Sequence, residues 1–159
     1  MDFRVGIGVD VHRWVEGRPL ILAGLHIPFE RGLLGHSDAD AVIHAVTDAL
    51  LGALAAGDIG THFPDNDSKW KNCASSVFVK HAAELATNDG WRISNVDTVI
   101  MTELPKLKPH MVSMRQSLAK LLNLSVDQVG MKAGTMEKMG FVGRGEGVMV
   151  QAVVCLIRD

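Results

Sequence analysis

Apolar positions recur along this chain with two different periods, and the switches between them divide it into alternating strands and helices. Phe3 to Val11 is β-rich and partly alternating. Leu20–Leu22 and His26–Phe29 read as short strands on either side of an Ala23-Gly24 turn. Val42, Ile43, Val46, Leu50, Leu51 and Leu54 then fall at helical spacing, which predicts a helix capped by Ser37 or Asp38, running to about Ala56 and stopped by Gly57. Residues 58–67 are too rich in turn formers to be regular. A second helix is expected over Ala74–Thr87, ended by Asn88-Asp89-Gly90, and a strand over Val96–Thr102. Pro109 opens a third helix reaching Leu122, Ser125–Gln128 resembles a capping box, and Val129–Ala133 and Val148–Ile157 complete the strands. With no repeat and no low-complexity linker, this order predicts an α/β (α+β-like) fold: a single domain over residues 1–159, with a mixed β-sheet packed by helices on one or both faces.

The last strand is unusual. Val148, Val150, Ala152, Val154 and Leu156 occupy one face, while Met149, Val153, Cys155 and Ile157 make the other apolar too, broken only by Gln151. A strand that is apolar on both faces is usually covered on both. With three helices available, a second copy of the chain is a natural cover for one side.

Composition narrows the function classes. The 16 Lys and Arg against 18 Asp and Glu leave a net charge of −2, and the basic residues form no arm or stripe, so nucleic acid is not an expected partner. Cys73 and Cys155 lie far apart with no CxxC spacing, which argues against a thiolate zinc site or a redox pair. The N-terminus lacks a basic segment followed by an apolar run, and no stretch approaches membrane length, so no membrane partner is expected and a cytoplasmic location is the default.

The candidate chemistry lies at Asp10, His12 and His44. In a strand, residues two apart share a face at about 6–7 Å, so Asp10 and His12 can converge on one ion if the strand end bends, and a third ligand must come from elsewhere. His44 on the first predicted helix is well placed for that. It shares a four-residue row with Asp40 and Asp48, either of which could orient its ring. Two imidazoles and a carboxylate suit zinc and leave a fourth position open, as in catalytic rather than structural sites.

Further motifs extend this reading. DVH at Asp10–His12, HSDAD at His36–Asp40, TDALLG at Thr47–Gly52, GDIGTHFPD at Gly57–Asp65, PK at Pro105-Lys106 and TMEKMGFVGRGEG at Thr135–Gly147 together resemble the 2-C-methyl-D-erythritol 2,4-cyclodiphosphate synthase family, in order and spacing, over nearly the whole chain. The resemblance implies a homotrimer with active sites between adjacent subunits. It also implies a step of the non-mevalonate isoprenoid pathway, in which a cytidine diphosphate derivative of methylerythritol 2-phosphate cyclises and releases CMP. The attacking oxygen belongs to the substrate's own phosphate, so the reaction needs positioning and charge neutralisation rather than a protein nucleophile.

By the same resemblance, Asp10, His12 and His44 bind zinc, with manganese the alternative, and Glu137 holds a magnesium ion. His36 and Thr135 stabilise the transition state. Ser37, Asp58, Ile59 and Gly60 surround the methylerythritol phosphate together with Phe63, Pro64, Asp65, Asn66 and Asp67. Thr102, Glu103, Leu104, Pro105, Lys106, Leu107 and Lys108 form the cytidine pocket. Gly134 and Met136 flank Thr135 where hydroxyl residues stand in some relatives, which leaves phosphate contacts there to backbone N–H groups. Phe141 and Arg144 fall near the trimer axis, beside a cavity for an isoprenoid-like ligand. The 68–75 segment, with Trp70 and Cys73, carries no recognisable pattern. A zinc-dependent phosphoesterase is the alternative enzyme for the same ligands, and a nucleotide- or isoprenoid-binding trimer without turnover is a third reading.

Overall fold

The computed structural model describes residues 1–159. Its sheet runs β4-β1-β7-β5-β6. β1 (Asp2–Glu16) and β7 (Gly147–Arg158) pair antiparallel over almost their full lengths, from Asp2 opposite Arg158 to Arg13 opposite Gly147. β5 (Arg92–Met101) flanks β7 antiparallel, and β6 (Val129–Gly134) lies parallel to β5, so the sheet is mixed as the sequence predicts. β4 (Arg31–Leu33) pairs with Trp14–Glu16, which carries β1 well beyond the Val11 expected for its end. β2 (Leu20–Leu22) and β3 (Leu25–Ile27) form a separate hairpin whose two turn residues, Ala23 and Gly24, both have positive φ, as a tight two-residue hairpin requires.

The long helices α1 (Ala41–Leu54), α3 (Ser76–Asn88) and α4 (Met111–Leu122) share one core with one face of the sheet. α1 is the central one. It is buried on nearly every side, and the residues left partly exposed, His44, Asp48 and Gly52, form a single row. It settles directly on β1 because Gly6 and Gly8 present no side chain there: a Cβ on Gly8 would stand 2.0 Å from the Ala45 carbonyl oxygen, and one on Gly6 1.9 Å from that of Ala49. No helix is long and apolar enough to cross a membrane.

Several local expectations change: β3 covers Leu25–Ile27 and not His26–Phe29, α3 starts at Ser76 and not Ala74, and Pro109 lies in a 3-10 turn ahead of α4. α1 starts at Ala41, not at Ser37 or Asp38. Asp40 caps it, with Oδ1 accepting from the amides of Val42 and Ile43 at 3.1 Å each. Residues 36–38 are instead tied to the entry of α3, through Asp38 N–H to Cys73 O (3.0 Å) and Asn72 N–H to His36 O (2.8 Å). α1 stops two residues before the expected Ala56, because Ala55 takes a left-handed conformation (φ 56°) ahead of Gly57. The 58–67 stretch contains one regular turn, α2 (Ile59–His62), capped by Asp58.

The opposite sheet face has no helix over it. Phe3, Val5, Ile7, Val9 and Val11 project from β1 at 47–72% exposure, with Val153 beside them on β7. Both faces of β7 are apolar, as the sequence indicates, and its own helices cover only one.

Candidate active site

Period-two alternation places Gly6, Gly8, Asp10 and His12 on the same side of β1, under α1. The glycines bring the helix close, and the first turn of α1 therefore delivers His44 to the two ligands on the strand. Asp10 Oδ2 lies 2.9 Å from His12 Nε2 and 3.4 Å from His44 Nδ1, and the two ring nitrogens are 3.1 Å apart. These three residues are the group able to hold a metal ion.

The other ring nitrogens are committed elsewhere. His12 Nδ1 lies 2.6 Å from the Leu34 carbonyl, which can only accept, so Nε2 is left with its lone pair toward the cluster. His44 Nε2 faces Ser75 Oγ at 2.8 Å and Ser37 Oγ at 3.1 Å. Asp10 Oδ2 is buried without a hydrogen bond of adequate geometry. Lone pairs of two imidazoles and an orphaned carboxylate oxygen converging on one point are what a divalent cation relieves, so these residues fit a metal. Burial opposes charge on Asp10, but the close approach of the His12 and His44 rings outweighs it and holds the carboxyl well below the usual range. Burial likewise works against His12 as a cation, and Asp10 reverses that and raises it.

Neither carboxylate expected to orient His44 does so. Asp40, fully buried, accepts four backbone amides: those of Val42, Ile43 and Ala23 on Oδ1 and that of Gly24 (2.6 Å) on Oδ2. Burial pushes it up to about 6, against those donors. It locks the β2–β3 turn to the start of α1. Asp48 accepts from Ile59 N at 2.7 Å and so fixes the 58–62 turn against α1.

Beside the cluster opens a cavity of about 410 Å³. His36, Ser37 and His44 line it with Ile59, Gly60, Phe63, Pro64, Asp65 and Asn66. His36 Nε2 is 3.2 Å from Asp67 O, which links the two rims. Asp58 and Asp67 lie outside the lining and cap local turns, Asp58 through the Thr61 amide and hydroxyl and Asp67 through the Lys69 amide. The hydrogen bonds from Thr61 lower Asp58. Two further walls were not legible in the sequence: Phe78 from α3, and Trp70, whose ring meets Phe63 edge-on at 5.0 Å between centroids.

A second, smaller cavity of about 140 Å³ sits at the ends of β5 and β6. Thr102, Pro105, Lys106, Leu107 and Lys108 line it, opposite Gly134 and Thr135. Glu103 is a brace rather than a wall, its Oε1 accepting from the amides of Met136 (3.0 Å) and Lys138. The Leu104 carbonyl accepts from Thr102 Oγ1, and Leu107 also joins the core. Glu137 is exposed and takes a 3.0 Å hydrogen bond from Thr135 Oγ1. Phe141 and Arg144 line neither cavity, and Arg144 pairs with Glu146 at 2.6 Å. β6 is three strands from β1, about 14 Å across the sheet, so one chain does not bring Glu137 to the Asp10 cluster.

The chain is similar to proteins of known kind. A relative from Geobacillus kaustophilus named 2-C-methyl-D-erythritol 2,4-cyclodiphosphate synthase is 54% identical over 97% of this chain and 98% of its own. One of the same name from Paraburkholderia phymatum is 52% identical over 99% of both. Among solved structures, a 2C-methyl-D-erythritol-2,4-cyclodiphosphate synthase in a CDP-bound form superimposes with a TM-score of 0.90 at 42% identity, covering 97% of this chain and all of that one. The bifunctional IspDF from Campylobacter jejuni does so with a TM-score of 0.95 at 41% identity, over 99% of this chain and 43% of its own length. Residues 3–157 match the YgbB family, and with that match and those relatives the chain belongs to the family of the 2-C-methyl-D-erythritol 2,4-cyclodiphosphate synthases.

Proposed function

We propose that the protein cyclises 4-diphosphocytidyl-2-C-methyl-D-erythritol 2-phosphate to 2-C-methyl-D-erythritol 2,4-cyclodiphosphate and releases CMP, as a step of the non-mevalonate isoprenoid pathway. The observation that carries the reading is the Asp10–His12–His44 cluster opening onto a 410 Å³ cavity, in a chain more than half identical to synthases of that name. In the reaction an oxygen of the 2-phosphate attacks the β-phosphorus of the diphosphate. The bond from that phosphorus to the bridging oxygen breaks, and the bridging oxygen leaves with CMP.

Asp10, His12 and His44 would hold zinc or manganese, and Glu137, a hard carboxylate, would hold magnesium. The chemistry such cations would supply is neutralisation of phosphate charge and polarisation of phosphorus. The chain's own groups do the rest. His36 and Thr135 donate to phosphate oxygens as charge builds. Ser37, Ile59 and Gly60 seat the methylerythritol end, under the 63–67 rim. The Thr102–Lys108 loop receives cytidine, with Lys106 available to phosphate.

Within one chain the Thr102–Lys108 loop follows β5, two strands from β1, and Glu137 follows β6, three strands away, so we place each active site between two subunits of a homotrimer. The apolar β1/β7 face supports this, since Phe3, Val5 and Ile7 have no cover of their own. Phe141 and Arg144, in the turn that feeds β7, are then candidates to meet an isoprenoid-like ligand on the threefold axis. The test is incubation of the purified protein with the cytidylylated 2-phosphate, zinc and magnesium in ¹⁸O-water. Release of CMP with an unlabelled cyclic diphosphate supports cyclisation. Labelled open-chain phosphate would mean a phosphoesterase, and binding without turnover a non-enzymatic module.

A further inference from the structure

His44 turns Nδ1 toward Asp10 and His12, and as a metal ligand through that nitrogen a neutral His44 carries its proton on Nε2, which needs an acceptor. A hydroxyl that no sequence motif assigns provides it. Ser75 Oγ, fully buried, stands 2.8 Å from His44 Nε2 and donates to Asp38 Oδ1 at 2.5 Å. The polarity of this chain is fixed by its carboxylate end: Asp38 only accepts, so the Ser75 proton points at it and the Ser75 lone pair points at His44. The Ser75 amide donates to Asp38 Oδ2 at 3.1 Å, so one carboxylate grips both the hydroxyl and the backbone of this residue. Ser75 also occupies the N-cap position of α3, where a serine usually caps the helix amides. Its hydroxyl makes no such bond.

We propose that Ser75 and Asp38 are a positioning pair for the metal centre: together they hold His44 in the Nε2-protonated tautomer and aim Nδ1 at the ion. This rests on reading Asp10, His12 and His44 as metal ligands. Asp40 and Asp48 are occupied by backbone amides and do not compete for the role. Ser37 Oγ, 3.1 Å from the same nitrogen and itself bound by the Ala39 amide, is a weaker second acceptor. The backbone bonds between residues 36–38 and 72–73 keep the pair in register with α1. Partners that orient a metal-bound imidazole typically change affinity about 10–100-fold when removed.

The experiment is a zinc titration with a competing chelator on the full chain, for wild type, Ser75→Ala, Ser75→Thr and Ser37→Ala/Ser75→Ala. We expect about tenfold weaker zinc binding in Ser75→Ala, about a hundredfold in the double variant, and near wild-type affinity in Ser75→Thr, with unchanged far-UV spectra of the metal-free proteins. Equal affinity across the set overturns the positioning role while leaving the metal site intact. Failure of wild type to bind one zinc per chain overturns the metal reading itself. A readout free of any variant is ¹⁵N NMR of His44 in the zinc-loaded protein: Nε2 protonated and Nδ1 metal-bound supports the proposal, and the reverse tautomer overturns it.

Discussion

Gly8 of β1 lies directly beneath Ala45 of α1, so close that a methyl group on it would stand 2.0 Å from the Ala45 carbonyl oxygen and 2.8 Å from the Ala49 amide. That contact sets the distance between strand and helix one residue from His44 and two from Asp10. Gly8→Ala is therefore expected to lift α1 and do two things together. It should destabilise the fold by about 2–3 kcal/mol, as overpacking against rigid backbone does, and it should weaken zinc binding by spreading the ligands. Chemical denaturation and a metal titration on the same sample check both. A stability loss with unchanged zinc affinity would show that the ligands do not depend on this approach.

His44→Ala should separate fold from chemistry. The side chain is only part-buried on the one polar row of α1, and alanine is the stronger helix former, so the helix survives. One of three protein ligands is lost. Zinc content should fall to background and CMP release to below about a hundredth of wild type, on the scale of losses from metal-site changes. Stoichiometric zinc in the variant would break the three-ligand assignment.

Much of this was legible from periodicity and motif. The period-two row Gly6-Gly8-Asp10-His12 and the four-residue row through His44 contain the candidate metal ligands, because strand and helix geometry fix those directions locally. The partners of those side chains were not legible. Asp40 and Asp48 lie on the same row as His44, and row membership alone makes them look like its supports. Their actual partners, the amides of Ala23, Gly24 and Ile59, depend on how a hairpin and a turn pack against α1, which is long-range information. Ser75 and Trp70 escaped for the same reason: they come from the 68–75 segment, whose sequence has no period and whose placement is set by backbone pairing with residues 36–38. The predicted helix over Ala74–Thr87 even encloses Ser75, which stands at the N-cap of α3 without capping it.

Protons and metal should compete for the cluster. In the metal-free protein Asp10 raises His12, and the histidine pair lowers Asp10. A raised histidine contributes stability that is complete below its unfolded value of about 6.5 and is lost as pH climbs through its folded value. The depressed Asp10 contributes above about 3.9 and loses that only under strongly acidic conditions. Metal-free protein should accordingly lose stability as pH rises above about 6.5, whereas zinc, which needs neutral imidazoles, should bind more tightly over the same interval and release protons. Thermal melts with and without zinc at several pH values provide the test. A zinc-induced rise in melting temperature that shrinks with increasing pH would contradict the competition.

Glu137→Gln should dissociate the two metals. The amide is a poorer ligand for a hard cation, and Glu137 lies three strands from the zinc cluster within its own chain. Activity should then demand at least about tenfold more magnesium, while zinc affinity stays at the wild-type value. Parallel loss of both ions would place Glu137 in the zinc site of the same subunit.

The shared-site arrangement makes a quantitative prediction for mixed oligomers. His44→Ala removes the metal end of a site, and Lys106→Ala the proposed cytidine end. Those ends line separate cavities in one chain. If each site takes its metal from one subunit and its cytidine loop from the next, any mixed trimer has one site with both residues intact, one lacking both and one with a single defect. Random mixing of equal amounts makes three quarters of the trimers mixed, each with one good site in three, so activity should recover to about a quarter of wild type. Neither variant alone contains an intact site. Co-refolding the two proteins, confirming subunit exchange by native mass spectrometry and measuring CMP release decides the matter. Absence of recovery in verified mixed trimers would mean that His44 and Lys106 serve the same site from a single chain, and that the uncovered face of β1 and β7 does not assemble the active centre.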